Sequence, residues 1–382
     1  MQSFNSKLPN LGDSIFSVMS QLANEQKALN LSQGFPEFNP PQQLIEFVSK
    51  AMSKGFNQYA PMPGYIKLRE SVAEKEGLIH NNNLDADSEI TITPGATAAL
   101  FSTIQAFVNA NDEVIVIDPA YDSYDPAIKL AGGKPVHISY DIQNLEFPWD
   151  ELELTISAKT KMIILTTPHN PLGLCFSKED FERLAQITEK HQIIILSDEV
   201  YEHMVFDGKK HISVLGNEAL KPRAVKISSF GKTLHTTGWK LGYLAAHESL
   251  TAEIRKIFQF LAFSTNSAMQ IGVSDFLDAN PKWEVELSDF YQSKRDYFFN
   301  RIKNPKIKGT PSSGSYFQML NIEHGFEMSD FDFAVELTKS SKIACIPLDV
   351  FIQNQPKTNW FRFCFAKNED TLEQAAEILS KL

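Results

Sequence analysis

The sequence is short of the features that mark several large protein classes. Its 382 residues hold three cysteines, Cys175, Cys345 and Cys364. They are odd in number and far apart, and they form neither a Cys-x-x-Cys pair nor a disulfide framework. That usage fits a reducing compartment, and a cytoplasmic location is expected. Cations are short as well: 36 Lys and Arg stand against 47 Asp and Glu, a formal charge of -11. No surplus remains to neutralise a phosphate backbone or an anionic bilayer, so neither nucleic acid nor membrane is an expected partner. No run approaches the roughly 18 uninterrupted apolar residues of a membrane span. The start, MQSFNSKLPNLG, lacks a basic stretch leading into an apolar one. There is no His-Glu-x-x-His, no clustered Cys and His and no Asp-rich calcium loop, so no metal is expected.

Two nucleotide signatures are also missing. Gly231-Lys232-Thr233 resembles the end of a Walker A loop, but that motif needs Gly five positions before its Gly-Lys, where Lys226 stands. No G-x-G-x-x-G follows the early strands, which argues against a nicotinamide or flavin Rossmann domain.

What is present reads as an ordinary globular protein, 43% apolar and 22% charged, and too long for one compact core. From about Glu89 to Ala246 short aliphatic runs alternate with helical stretches, the pattern of a largely parallel sheet covered on both faces. Strands are expected at 89–92, 113–117, 162–165, 193–196, 224–227 and 241–245, with helices near 96–109, 122–132 and 177–191. After about Leu250 a long helical stretch, a helix around 285–302 and strands at 315–321, 342–347 and 360–365 suggest a second, α+β domain. A helix at 15–26 near the start is expected to pack with it. The division expected is an N-terminal segment, 1–38, a large domain, 39–278, and a small domain, 279–382.

Ligands of such sheets bind beyond the carboxyl ends of the strands. The residues there are polar and rich in turns: Pro94-Gly95-Ala96-Thr97, Asp118-Pro119-Ala120-Tyr121, Thr167-Pro168-His169-Asn170-Pro171, Ser197-Asp198-Glu199-Val200-Tyr201 and Ser228-Ser229-Phe230-Gly231-Lys232. The Gly95-Ala96-Thr97 turn enters a helix, whose free amides and dipole suit a phosphate; alone, it also reads as a plain βα turn. Lys232 sits where an amine can face a pocket, although a lysine taken singly is usually surface charge. A lysine that forms a Schiff base needs a partly desolvated amine with a lowered pKa.

Asn170-Pro171-Leu172-Gly173, Asp198-Glu199-Val200-Tyr201, Ser229-Phe230-Gly231-Lys232 and Gly238-Trp239-Lys240-Leu241-Gly242 together resemble the motif series of the class I/II aminotransferases, fold-type I pyridoxal-phosphate enzymes. The likeness runs from Gln33-Gly34-Phe35-Pro36 to Arg362-Phe363 and is nearest to the kynurenine and methionine aminotransferases. It implies an α/β fold with a mostly parallel seven-stranded sheet between helices, a smaller α+β domain built from both termini, and pyridoxal 5′-phosphate as cofactor.

The resemblance also implies roles. Lys232 binds the cofactor covalently and later carries the proton of the substrate's Cα. Asp198 pairs with the pyridine nitrogen and keeps it protonated. Asn170 and Tyr201 donate to the phenolic oxygen, and Tyr121 stacks on the ring. The phosphate falls to the Ala96 and Thr97 amides after Gly95, to Ser229 and to Lys240, with Tyr59 contributed by a neighbouring subunit, hence a homodimer. Lys240 stands where many aspartate-type members carry Arg, and Leu172 replaces a more usual Thr; charge is kept but bidentate geometry is not. Arg362 grips the substrate carboxylate, assisted by the backbone of Gly34. His169 and His235 are expected to be spacers or hydrogen-bond partners.

Phe16 and Phe351 occupy substrate-pocket positions of the subgroup, which favours methionine, glutamine, aromatic or kynurenine-like donors in a ping-pong transfer to a 2-oxo acid. Two rivals remain open. One is a cysteine-S-conjugate or C–S β-lyase on the same fold. The other is a non-catalytic, cofactor-binding regulator, for which no DNA-binding extension is present.

Overall fold

A computed structural model describes residues 5–9, 11–325, 328–353 and 357–382. Among these residues, seven strands form the main sheet in the order Ile90–Thr93, Gly242–Ala246, Ala224–Ser228, Ile194–Asp198, Thr160–Thr166, Glu113–Asp118, Lys134–Ser139. Gly242–Ala246 runs against both its neighbours, and the remaining pairs are parallel. This is the mostly parallel α/β sheet expected.

Both faces of the sheet are dry. Ile115, Ile117, Ile163, Leu165 and Ile195 enter one core, and Val114, Val116, Ile164, Leu196 and Ile227 enter another. Successive strand side chains point to opposite faces, so a strand covered on both sides is aliphatic at most of its positions. The helix Ala96–Phe107 closes the second core with Ala99, Leu100 and Ile104. The helix Lys178–Thr188 starts at a capping box in which Ser177 and Asp180 satisfy each other's backbone N–H.

Lys134–Ser139 is missing from the expected strands. It lies at the sheet edge beside Glu113–Asp118 and is only half-buried. An edge strand tolerates Lys134 and Pro135, and these hide its aliphatic signal.

Thr166, Asp198 and Ile227 lie side by side in register, so the loops after these strands leave the sheet along one edge. Over that edge sits a small antiparallel sheet of Ile346–Pro347, Trp360–Cys364, Phe317–Ile322 and Ile307–Lys308. The expected strand at 342–347 is broken at Cys345. Ile343–Ala344 pairs with Leu29–Asn30, whereas Ile346–Pro347 pairs with Trp360–Cys364. The chain turns there from one partner to another. Cys364 N–H also donates to the Leu31 carbonyl at 2.8 Å, which stitches the N-terminal segment to the C-terminal sheet. Among the described residues no helix is long and apolar enough to cross a membrane.

Candidate active site

A cavity of ≈ 200 Å³ opens beyond the carboxyl ends of the strands. Asp198, Tyr201, Asn170, Ser229 and Lys232 line it together with Gly95, Ala96, Thr97, Tyr121 and Lys240. Residues from five separate strand ends meet there because the sheet holds those ends in register.

Lys232 follows directly from the strand Ala224–Ser228. Ser229 is extended, with φ -141° and ψ 112°, and caps the short helix Phe230–Thr233, which turns the Lys232 side chain over the cavity. Its Nζ donates to the Gly34 carbonyl at 3.2 Å and to the Tyr316 hydroxyl at 2.7 Å. The rings of Tyr201 and Tyr316 lie 5.5 and 5.2 Å from the amine. Burial lowers its pKa to about 8, because an apolar surround penalises the ammonium form.

Asp198 ends the strand Ile194–Asp198 and is buried. Burial pushes its carboxyl up to about 6, against which the Tyr124 hydroxyl donates to Oδ2 at 2.8 Å and the Val200 N–H to Oδ1 at 3.3 Å. The carboxylate is therefore still largely ionised at neutral pH. No helix follows this strand; residues 200–203 form a turn, and Tyr201 is buried.

Across the cavity the helix Ala96–Phe107 begins without a side-chain cap, so its first amides remain open to an anion. Gly95 has φ +85°, and a Cβ there would stand 3.3 Å from Lys240 Cε. The lysine stem thus lies across the helix start and brings a cation to those amides. Gly242 is needed behind them, since its Cβ would come within 2.9 Å of the Ala96 nitrogen.

Arg362 comes from the middle of the strand Trp360–Cys364 and is buried. Its guanidinium donates to Asn170 Oδ1 at 3.1 Å and to the Ser32 carbonyl, while its Nε has no partner among the described residues. The rings of Phe317, Phe16 and Phe351 lie 4.1, 5.0 and 5.5 Å from it. Among the described residues this buried guanidinium has neutral oxygen acceptors and aromatic walls but no carboxylate partner, which is unusual for a buried charge.

Residues 26–379 match the family model described as aminotransferase class I and II. The chain belongs to that family. Methionine aminotransferase of Escherichia coli is 44% identical over 377 residues, 99% of this chain and 98% of that one. Human kynurenine--oxoglutarate transaminase 1 is 32% identical, with 94% of each chain covered. The solved structure of Escherichia coli YbdL, described as having a methionine aminotransferase function, superposes with a TM-score of 0.97 at 43% identity, all of each chain being covered. The solved N-succinyldiaminopimelate aminotransferase of Mycobacterium tuberculosis gives 0.93 at 30% identity, over 99% of this chain and 100% of that one.

Aminotransferases of this class depend on pyridoxal 5′-phosphate, and the residues present fit it. An uncapped helix start with a lysine across it, a buried carboxylate held by two donors and a desolvated amine face one cavity. Each answers a different part of the cofactor: phosphate, ring nitrogen and aldehyde carbon.

Five expected residues, Arg362 among them, lie away from the cavity wall. Phe16 and Phe351 join the Arg362 cluster, their rings 5.8 Å apart. The Gly34 carbonyl accepts from Lys232 Nζ and from the Tyr316 hydroxyl. Tyr59 is 82% exposed, packed against Phe263, and does not line the cavity of its own chain. Of the histidines, His169 accepts from the Leu172 N–H at 3.3 Å, and burial lowers its pKa to about 3. His235 packs among Phe38, Trp283, Phe290 and Tyr291.

Tyr124 and Tyr316 also reach this site, at Asp198 and Lys232, and neither belongs to a motif of the sequence. The only signal for Tyr124 is its place three residues after Tyr121 at a helix start. Tyr316 stands just before the strand Phe317–Ile322, far along the chain, and nothing local ties it to Lys232.

Behind the strand ends lies a second polar cluster. Lys226 is fully buried, its Nζ 2.5 Å from Glu76 Oε1, 2.7 Å from Glu202 Oε2 and 3.7 Å from Glu199 Oε2. His211 pairs with Glu199 at 2.8 Å, and Lys75 with Glu202 at 3.2 Å. Burial would raise the Glu199 carboxyl, but His211 and Lys226 hold it down at about 2. Glu76, His80 and Glu202 have metal-ligand spacing, yet the ammonium of Lys226 already contacts both carboxylates.

A lysine shifted to about 8 reacts as the free amine over a range where an ordinary one, near 10.5, does not. In the apoenzyme, capture of pyridoxal phosphate by Lys232 is expected to rise with pH and reach half its maximum near 8. Borohydride trapping at stepped pH followed by peptide mapping measures this. A midpoint above 10 would contradict the desolvated placement of the amine.

Proposed function

We propose that this aminotransferase moves the amino group of an L-amino acid to a 2-oxo acid in two half-reactions at one site, with methionine the first donor to test. This rests on a desolvated amine, Lys232, held by the Gly34 carbonyl, and a buried guanidinium, Arg362, that has no carboxylate partner among the described residues and is held by Asn170, which lines the same cavity as Lys232.

Arg362 binds the α-carboxylate of the incoming amino acid through two parallel charged hydrogen bonds, and Asn170 fixes the plane of the guanidinium. Phe16, Phe317 and Phe351 set apolar rings around that guanidinium, a neighbourhood that suits methionine, phenylalanine or a kynurenine-like donor; glutamine fits through its methylenes. Such contacts separate these substrates only modestly.

When bound, pyridoxal phosphate supplies the sink for the electron pair left when the Cα proton departs. Lys232 anchors it and, once released by the donor, takes that proton at Nζ. Asp198 keeps a proton on the ring nitrogen, while Asn170 and Tyr201 donate to the phenolic oxygen. Tyr121 covers one ring face. The Ala96 and Thr97 amides, Ser229 and Lys240 hold the phosphate. Tyr59 serves the site of a second copy, and its exposure beside the exposed Phe260 and Phe263 supports a homodimer. The pairing of Leu29–Asn30 with Ile343–Ala344 supports residues 1–38 and 279–382 acting as one small domain against 39–278.

The test is spectroscopic. Methionine should bleach the visible absorbance of the holoenzyme, and a 2-oxo acid should restore it. Ammonia and pyruvate from a β-substituted cysteine, with no call for a 2-oxo acid, would move the assignment to a lyase. Absence of a visible band after reconstitution would overturn both.

A further inference from the structure

The Tyr316 hydroxyl is the one protein side-chain group bonded to the Lys232 amine among the described residues, and the reaction as set out above gives it no task. It donates to the Gly34 carbonyl, and so its oxygen lone pairs are free to accept from Lys232. The amine in turn donates to both Tyr316 and Gly34. A neutral primary amine has two N–H bonds and one lone pair. With both N–H bonds taken, the position left over belongs to the lone pair, on an amine that lines the cavity.

We propose that Tyr316 is a positioning residue: together with the Gly34 carbonyl it holds the released Lys232 amine by its two hydrogens and turns its lone pair toward the substrate's Cα. This rests on Lys232 being the group that takes the Cα proton. The proton moves from Cα to the nitrogen lone pair, the C–H electron pair stays on the substrate side, and the new ammonium carries the proton as its third N–H.

The surroundings make this arrangement rigid. Tyr316 is fully buried, with Tyr201 and Phe317 edge-on to it at 5.0 and 4.9 Å and Tyr291 tilted at 5.9 Å. Burial also holds its phenol well above the usual tyrosine range, so it stays a neutral hydroxyl and does not compete for the proton. Tyr291 is a built-in comparison. It is equally buried and touches the same ring, but its hydroxyl has no partner among the described residues.

Tyr316→Phe keeps the ring and its packing and removes only the oxygen. In the holoenzyme kcat with methionine should fall by about 10- to 100-fold with KM nearly unchanged, since a misaimed acceptor costs rate and not binding. The kinetic isotope effect from Cα-deuterated methionine should grow. The borohydride-trapped cofactor at Lys232 should remain stoichiometric. In the apoenzyme, the pH midpoint for Lys232 capture of pyridoxal phosphate should fall, because the ammonium loses an acceptor. Tyr291→Phe should leave all four readouts at the wild-type values, and matching thermal midpoints for the two variants would show that the fold is kept. A Tyr316→Phe enzyme with unchanged kcat, isotope effect and midpoint would overturn the proposal. Failure of the wild-type adduct to map to Lys232 would overturn the underlying role of the lysine instead.

Discussion

Lys232→Ala should abolish the borohydride-stable cofactor adduct and lower transamination by about 10⁴-fold or more, the range of a lost positioned base combined with a lost covalent anchor. Cofactor binding itself should persist. The open amides of Ala96 and Thr97, Ser229, Lys240 and the Asp198 carboxylate are untouched, so the variant should still show cofactor absorbance that gel filtration removes slowly. Two measurements decide: mass spectrometry of the reduced protein, and single-turnover decay of the absorbance after methionine. Survival of the adduct at an unchanged peptide would refute the assignment of Lys232. A variant that no longer takes up the cofactor at all would mean that the phosphate and ring contacts are weaker than the cavity suggests.

The largest loss of stability is expected elsewhere, at Lys226. Replacing it with methionine leaves Glu76, Glu202 and Glu199 facing one another without their central cation, and removing one partner of a buried ion pair costs about 3–5 kcal/mol. The urea midpoint of the holoenzyme should drop accordingly, and a loss under about 1 kcal/mol would place the cluster among pairs of little consequence. The sign of the pH dependence is fixed. Glu199 is held at about 2 and Glu202 well below its ordinary value, so their stabilisation is complete above the ordinary carboxylate range and fades as pH falls toward about 2. The gap between wild type and variant should therefore narrow on acidification.

The residues that meet in the cavity were largely legible because each follows directly on a strand, where a short motif carries both the element and the chemistry. Asp198, Asn170, Ser229 and Lys232 are of this kind. Arg362 was legible only through its motif, since one arginine in an aliphatic strand has no local mark of function. What the sequence hid depends on distance along the chain. Tyr316 meets Lys232 through the small sheet laid over the strand ends. The ions around Lys226 are drawn from points scattered between Lys75 and His211. The edge strand Lys134–Ser139 was hidden for a different reason, because solvent on one side relaxes the demand for apolar residues.

The segment from Asp198 to Tyr201 and Glu202 serves two neighbourhoods at once. Asp198 and Tyr201 face the cavity, while Glu199 and Glu202 turn back to Lys226. For directed evolution this stretch is a poor place to introduce diversity, since four of its five positions already answer to a fixed charge or a fixed ring. If Arg362 seats the donor as proposed, libraries meant to change the donor amino acid are better concentrated on Phe16 and Phe351, which lie beside Arg362 and come from segments that carry no part of the ion cluster.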